Sequence, residues 1–258
     1  MAEAGVQMRA KRTDRPVPWL LMVLAVIAFA ALVGLGSWQL QRMQWKEGLI
    51  ATIHERINSL PVAIGSMQAR YARTGDVDYW PVELTGTFYH AGERHFFATH
   101  EGRSGFYIYT PLRMAFGRYV FINRGFVPYD LKEPQRRQQT QVEGEVTIHG
   151  LARNPLGEKP SSLVPDNEPA KNIFYWKDLD AMEATANLPL HSMVMPFFID
   201  ADATPNPGGL PIGGVTMIDQ PNNHLQYALT WYGLAGALVG VVFLWLYGRR
   251  KPRDAATP

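Results

Sequence analysis

Apolar and polar positions alternate in three distinct ways along the chain. Val17 to Trp38 carries no charged residue over 22 positions, and Leu225 to Tyr247 none over 23. At about 1.5 Å per helical residue such runs reach roughly 33 Å, the thickness of a bilayer's hydrocarbon core, so both predict membrane-spanning helices. Between them, Leu35, Trp38, Arg42, Trp45, Leu49 and Ile53 recur at three- and four-residue steps. That spacing places them on one face of a helix that continues beyond the first span and stops at Pro61.

After Pro61 the pattern shortens to Val-, Ile-, Phe- and Tyr-rich runs: "YWPVELTGTFY", "RHFFATH", "GFYIYTPL", "RYVFINRGFVP", "VEGEVTIHGLAR", "SMVMPFFID" and "GVTMID". Gly, Pro, Asn and Asp punctuate them, which predicts an antiparallel β domain, a sandwich or a partly closed barrel that hides its edges. One stretch, Lys177 to Ala186, reads as a short helix, and two Pro-rich segments, "NPLGEKPSSLVPDNEPAKN" and "TPNPGGLPIGG", read as long loops. The expected class is an α+β membrane protein, with two terminal transmembrane helices flanking a β-rich antiparallel domain that carries a short helix. Its expected divisions are a basic arm (1–16), the first span (17–40), the β-rich domain (41–223, helical over 41–60), the second span (224–248) and a basic tail (249–258).

Composition narrows the function. With 47% apolar and 19% charged residues the chain is not disordered, and a net charge of +2 gives no reason to expect nucleic acid. Zero cysteines exclude disulfides, thiolate zinc sites, a CxxC redox motif and covalent haem attachment. Basic residues set the topology. Arg9, Lys11, Arg12, Arg15, Arg249, Arg250, Lys251 and Arg253 lie outside the pair of spans, against only Arg42 and Lys46 close to the span ends on the loop side. Both termini are therefore expected in the cytoplasm and the middle domain outside it, with membrane lipids as partners. The arm lacks a long Ser- and Arg-rich transit segment, so the expectation is a bacterial inner membrane and a periplasmic domain, with the mitochondrial inner membrane as the alternative.

Candidate chemistry gathers at the membrane edge. "PNNHLQYALTWYGLA" puts His224 in the first turn of the second span and Trp231 two turns deeper on the same face. A neutral imidazole there could ligate haem iron with a flat macrocycle along the strip; an interfacial His in an aromatic belt is the plainer alternative. Arg42, between Trp38 and Trp45, could pair with a propionate or stack on an indole, or simply anchor the helix at the interface. "GALVG" (Gly236 to Gly240) and the pair Ala30/Gly34 have the small-xxx-small spacing of helix contacts, with the sister span or a partner. His191, Met193 and Met195 share one face of a predicted strand, as a soft copper site or as core methionines. "INRGFVP" predicts a bulge at Arg124 and Gly125 that either aims Asn123 and Arg124 outward at a partner or is purely structural. No GxSxG, HExxH or Gly-rich phosphate loop is present, so no enzyme activity is expected.

Taken in order, "LGSWQLQRMQWKEGLI", "INRGFVP", "VEGEVTIHGLAR", "FYWKDLDAM", "PFFIDAD" and "PNNHLQYALTWYGLA" resemble the Surfeit locus protein 1 family from about Gly34 to Ala235. The resemblance implies an assembly factor for haem-copper cytochrome c oxidase, of bacterial type, that helps deliver haem a to the catalytic subunit. It implies His224 as the haem ligand and Trp231 as its aromatic neighbour; Arg42, a candidate cofactor contact from its own position, matches the family as a structural or partner-contact residue. Trp38, Trp45, Asn123, Arg124 and Gly125 are then partner-contact positions. The implied partners are the oxidase catalytic subunit and, second, haem a synthase.

Overall fold

The computed structural model describes residues 18–218 and 220–250. Most of the charges behind the expected orientation, Arg9, Lys11, Arg12, Arg15, Lys251 and Arg253, lie outside the described residues. The chain divides into two compact units, 50–220 and the two ends together (1–49 with 221–258).

Helix α1 (Trp19–Ile57) and helix α4 (His224–Arg250) are both long and apolar enough to cross a membrane. The run from Trp19 contains no proline, so α1 continues until Pro61 restricts the residue before it. Asn58 Nδ2 and Ser59 Oγ donate to the carbonyls of His54 and Glu55 at 2.7 and 3.0 Å, satisfying groups the helix end leaves unpaired.

The unit 50–220 is built on a mixed sheet. Its strands are β1 (Val62–Ala63), β2 (Pro81–Phe88), β3 (Arg94–His100), β4 (Arg103–Arg113), β5 (Arg118–Pro128), β6 (Glu145–Arg153) and β7 (Met193–Ala201). The order is β1-β2-β6-β7-β5-β4-β3, and β4 also pairs with β2 at Thr87↔Arg113 and Phe88↔Leu112. Strands β2, β6, β7, β5 and β4 thus close into a ring, removing most free edges. Closure demands close approach: a Cβ on Gly86 would lie 2.4 Å from the Arg113 carbonyl oxygen. Most pairings are antiparallel as expected, but β5–β7 and β1–β2 are parallel.

Alternating residues fill the ring: Val82, Leu84 and Phe88 from β2, Val120 and Ile122 from β5, Met195, Phe197 and Ile199 from β7. Helix α2 (Ile64–Thr74), which the strand reading passed over, packs Met67 on this core, and Tyr71 meets Phe197 at 5.9 Å. Helix α3 (Leu179–Thr185) covers the outer face, where Leu179 and Met182 pack on Tyr109, Phe121 and Phe198. Asp178 caps it by accepting from Ala181 N–H at 3.0 Å. Covered on both faces, β5 is buried continuously from Tyr119 to Val127 rather than in alternation, Asn123 and Arg124 included. "GVTMID" is not a strand: Gly214 to Ile218 is irregular, held by Thr216 Oγ1 donating to Asp200 Oδ2 at 2.9 Å, and Asp219 lies outside the described residues.

A charged cluster is buried beside β3. Glu93 accepts from His95 Nε2 at 2.7 Å, from Arg137 Nη1 at 3.2 Å and from Arg137 Nη2. Burial raises the Glu93 carboxyl, but these hydrogen bonds outweigh it and hold it below 4.5. Burial holds His90 below 6.5, with its Nε2–H donated to the Val142 carbonyl at 2.8 Å. Burial also raises Asp76, yet hydrogen bonds from Arg56 and Asn154 bring it from 3.8 to about 2. All three folded-state values lie below their unfolded ones, so each contribution is complete above the unfolded value and is lost as pH falls through the folded one. Thermal unfolding followed by circular dichroism should therefore show stability decreasing below pH 6.5, then below 4.5, then from 3.8 towards 2. A melting temperature that is flat or rising as pH falls over that range would contradict this account.

Candidate functional site

At the start of α4, His224 and its neighbours meet α1. His224 Nδ1–H donates to Gln39 Oε1 at 2.7 Å. Lys46 Nζ donates to the Pro221 carbonyl at 2.6 Å, and Asn222 Nδ2 to that of Met43 at 3.5 Å. One turn deeper, Ser37 Oγ donates to the Val33 carbonyl at 2.9 Å, which leaves the Tyr232 hydroxyl to donate to Ser37 Oγ at 3.0 Å. Gly36 makes the approach possible, since a Cβ there would lie 2.9 Å from the Tyr232 ring.

The α1-facing stripe of α4 is His224, Ala228, Trp231, Tyr232 and Ala235, at steps of three, four and seven. Ala228 and Ala235 are buried on it, and Trp231 Nε1 is buried with no hydrogen-bond partner among the described residues. The small residues that bring the helices together are therefore Gly36, Ala228 and Ala235. The GALVG motif is not used between the sister spans, because added Cβ atoms at Gly34, Gly236 and Gly240 would meet nothing within 4 Å.

Arg42 is not on this stripe. Trp38, Arg42 and Trp45 lie roughly 180–240° round α1 from Gly36 at about 100° per residue. Trp38 and Trp45 are each 54% exposed, and the Arg42 guanidinium stacks on the Trp45 ring at 3.8 Å. His224 and Trp231 share a face of α4, whereas Arg42 on α1 is turned onto Trp45.

The predicted bulge on β5 is present. Tyr107 pairs with Phe126 and Tyr109 with Asn123, so Arg124 and Gly125 together oppose Ile108. Its outward aim is corrected, because Asn123 and Arg124 are buried, Arg124 to 1% exposure. Asn123 Nδ2 donates to Asp200 Oδ1 at 3.0 Å, and Arg124 Nη2 to the Thr140 carbonyl at 2.6 Å. The Arg124 guanidinium lies over the Phe88 ring at 4.7 Å, and burial lowers its pKa from 12.5 to about 10. Segments pack on both faces of β5, so a re-aimed side chain meets protein instead of solvent.

The copper trio is not brought together. Met195 is in the core of the ring, Met193 is exposed, and His191 precedes the strand at φ 65°. Among the described residues no group of three His, Cys, Asp or Glu could hold a metal ion. A single haem ligand is compatible with the donor set at α4: Gln39 takes Nδ1–H, and His224 Nε2 makes no hydrogen bond among the described residues. Gln39 and Ser37 were not singled out from the sequence, where the His224–Gln39 pair is 185 positions apart.

Comparison with known proteins supplies the rest. Residues 26–236 match the SURF1 family. The chain is 35% identical to a SURF1-like protein of Monosiga brevicollis, over 97% of this chain and 94% of that protein. It is 36% identical to Surfeit locus protein 1 of Rattus norvegicus, over 93% of this chain and 78% of the relative. For Surfeit locus protein 1 of Homo sapiens the identity is 35%, over 90% and 77%. These relatives are eukaryotic, and that finding overturns the bacterial assignment.

Proposed function

The chain belongs to the SURF1 family, and from that membership we propose that it is a two-span membrane scaffold for assembling cytochrome c oxidase, stabilising the nascent catalytic subunit. It acts without catalysis. The membrane is the mitochondrial inner membrane, with the β domain in the intermembrane space. One observation carries the scaffold reading: the polar groups at the edge of the spans are engaged with one another. His224 with Gln39, Lys46 with Pro221, and Tyr232 with Ser37 clasp α1 to α4. Trp38 and Trp45, exposed on the other side of α1, are left for the oxidase subunit and lipid.

A second reading, haem a held by His224, is supported by the hydrogen bond that orients its ring and by the buried, unpartnered Trp231 Nε1 on the same stripe. His224 would hold the cofactor through its second ring nitrogen, and the cofactor would supply the iron that this nitrogen ligates. Two variants separate the readings. Under the scaffold, His224→Ala and Gln39→Ala each remove the same clasp bond, worth about 1 kcal/mol, and reduce oxidase assembly to a similar, partial extent. Under haem binding, His224→Ala alone abolishes a haem a band in the reduced-minus-oxidised spectrum of the purified protein, while Gln39→Ala keeps it. No band in the parent sinks the haem reading. Full oxidase activity in cells carrying only a chain without its β domain sinks the scaffold.

A further inference from the structure

Two loop tips meet at one end of the β domain and leave large apolar side chains in the open. Phe116, in the β4–β5 turn, is 93% exposed, and Leu190, just before β7, is 91% exposed. They line one concavity of about 470 Å³ together with Arg113, Gly117, Tyr119 and His191. Met193, paired with Arg118 where β5 and β7 begin side by side, adds a further exposed apolar group.

Phe116 also sits at φ 60°, ψ 27°, a left-handed conformation that costs a bulky residue free energy and that Asn or Gly adopts readily. Its ring has Arg118 as a distant cation neighbour at 5.9 Å and is not part of the core. A strained aromatic held in solvent contributes nothing to the domain's own packing, so its use lies outside the domain. Arg113 and Arg118 flank it, and neither forms a salt bridge among the described residues.

Within the unit 50–220 the tips lie at the far end of a strand from the unit's two chain ends. The chain enters the domain through Ile57 and leaves it after Ile218, and both line a cleft with Ala201, the last residue of β7. Met193 is the first residue of that nine-residue strand, so the exposed tips lie roughly 26 Å along it from the points of entry and exit. A second copy of the chain is disfavoured, because a two-fold contact would place this cationic rim against itself.

We propose that the Phe116–Leu190 tip is a docking surface for a protein partner that offers an apolar socket rimmed by carboxylates, carried by the oxidase assembly intermediate. The partner's identity rests on the function proposed above. Phe116 and Leu190 are the anchors, and Arg113 and Arg118 set orientation and salt dependence.

The test uses the full chain in its membrane, with co-purified oxidase catalytic subunit as readout and a photo-crosslinking residue at position 116. Phe116→Asn relieves the backbone strain, so its melting temperature should equal or exceed the parent's. Combined with Leu190→Ser, it should nonetheless lower co-purification roughly tenfold. Arg113→Glu should lower it less and flatten its salt dependence. Crosslinks from position 116 to an oxidase-intermediate protein complete the expected result. If the parent retains the subunit and the double variant keeps it within about twofold, the docking surface is overturned and the scaffold stands. Crosslinks to lipid or to a second copy overturn it equally. A parent that retains no oxidase subunit removes the scaffold reading, and this assignment with it.

Discussion

Gly125→Ala is expected to destabilise the β domain by roughly 3–5 kcal/mol, the sum of backbone strain and lost buried hydrogen bonds. Gly125 has φ 120°, and a Cβ there would lie 1.9 Å from the Ile212 carbonyl oxygen and 2.7 Å from Gly213 N. These are backbone atoms, so no rotamer change relieves the clash. The segment around Ile212 would have to move, breaking its paired bonds with Phe126 at 2.8 and 2.9 Å. The bulge would shift with it, and Arg124 would lose its buried setting. Urea unfolding of the membrane-inserted protein checks this; a midpoint within about 0.3 M of the parent would mean that the loop yields freely.

Removing the buried carboxylate at Glu93 is expected to cost as much. Glu93→Ala leaves Arg137 and His95 without their acceptor in a site where Glu93 is 3% and Arg137 2% exposed. Breaking a buried pair in this way costs about 3–5 kcal/mol, because the remaining charge keeps its desolvation penalty. The melting temperature should drop on the order of 10 °C for a domain of this size. Replacing Glu93, His95 and Arg137 together by Met, Leu and Met should recover most of the loss. If the single and triple variants melt alike, the cluster's charges are not what matters there.

Both effects depend on residues whose role was unevenly legible. Gly125 stands out in "INRGFVP" because glycine inside an apolar strand marks a bulge or a close approach, and both are present. The direction of Arg124 was not legible. A bulge can turn polar groups outward, and here Phe88 and the distant segments carrying Thr140 and Asn206 enclose Arg124 instead. Glu93 drew no attention, since "GERHFF" looks like the polar start of an exposed strand until Arg137, 44 positions later, folds onto it. Helix α2 had a signal, Ile64, Met67 and Tyr71 at helical spacing. It was masked by the strand-like runs that follow it from Tyr79 on. The GALVG motif misled in the other direction: its spacing is right for a helix contact, yet Gly36 and two alanines make the contact instead.

From the sequence alone come the two spans, the long helical exit of the first, the β character of what lies between, and the short helix within Lys177 to Ala186. Each rests on local physics, whether the length of an apolar run, its period, or the residues that bound it. Closure of the ring, the parallel β5–β7 pairing, the burial of Arg124 and Glu93, and the meeting of His224 with Gln39 were decided only by tertiary structure. These depend on partners tens to nearly two hundred positions away, where periodicity carries no information and only packing and the pairing of buried polar groups select the outcome.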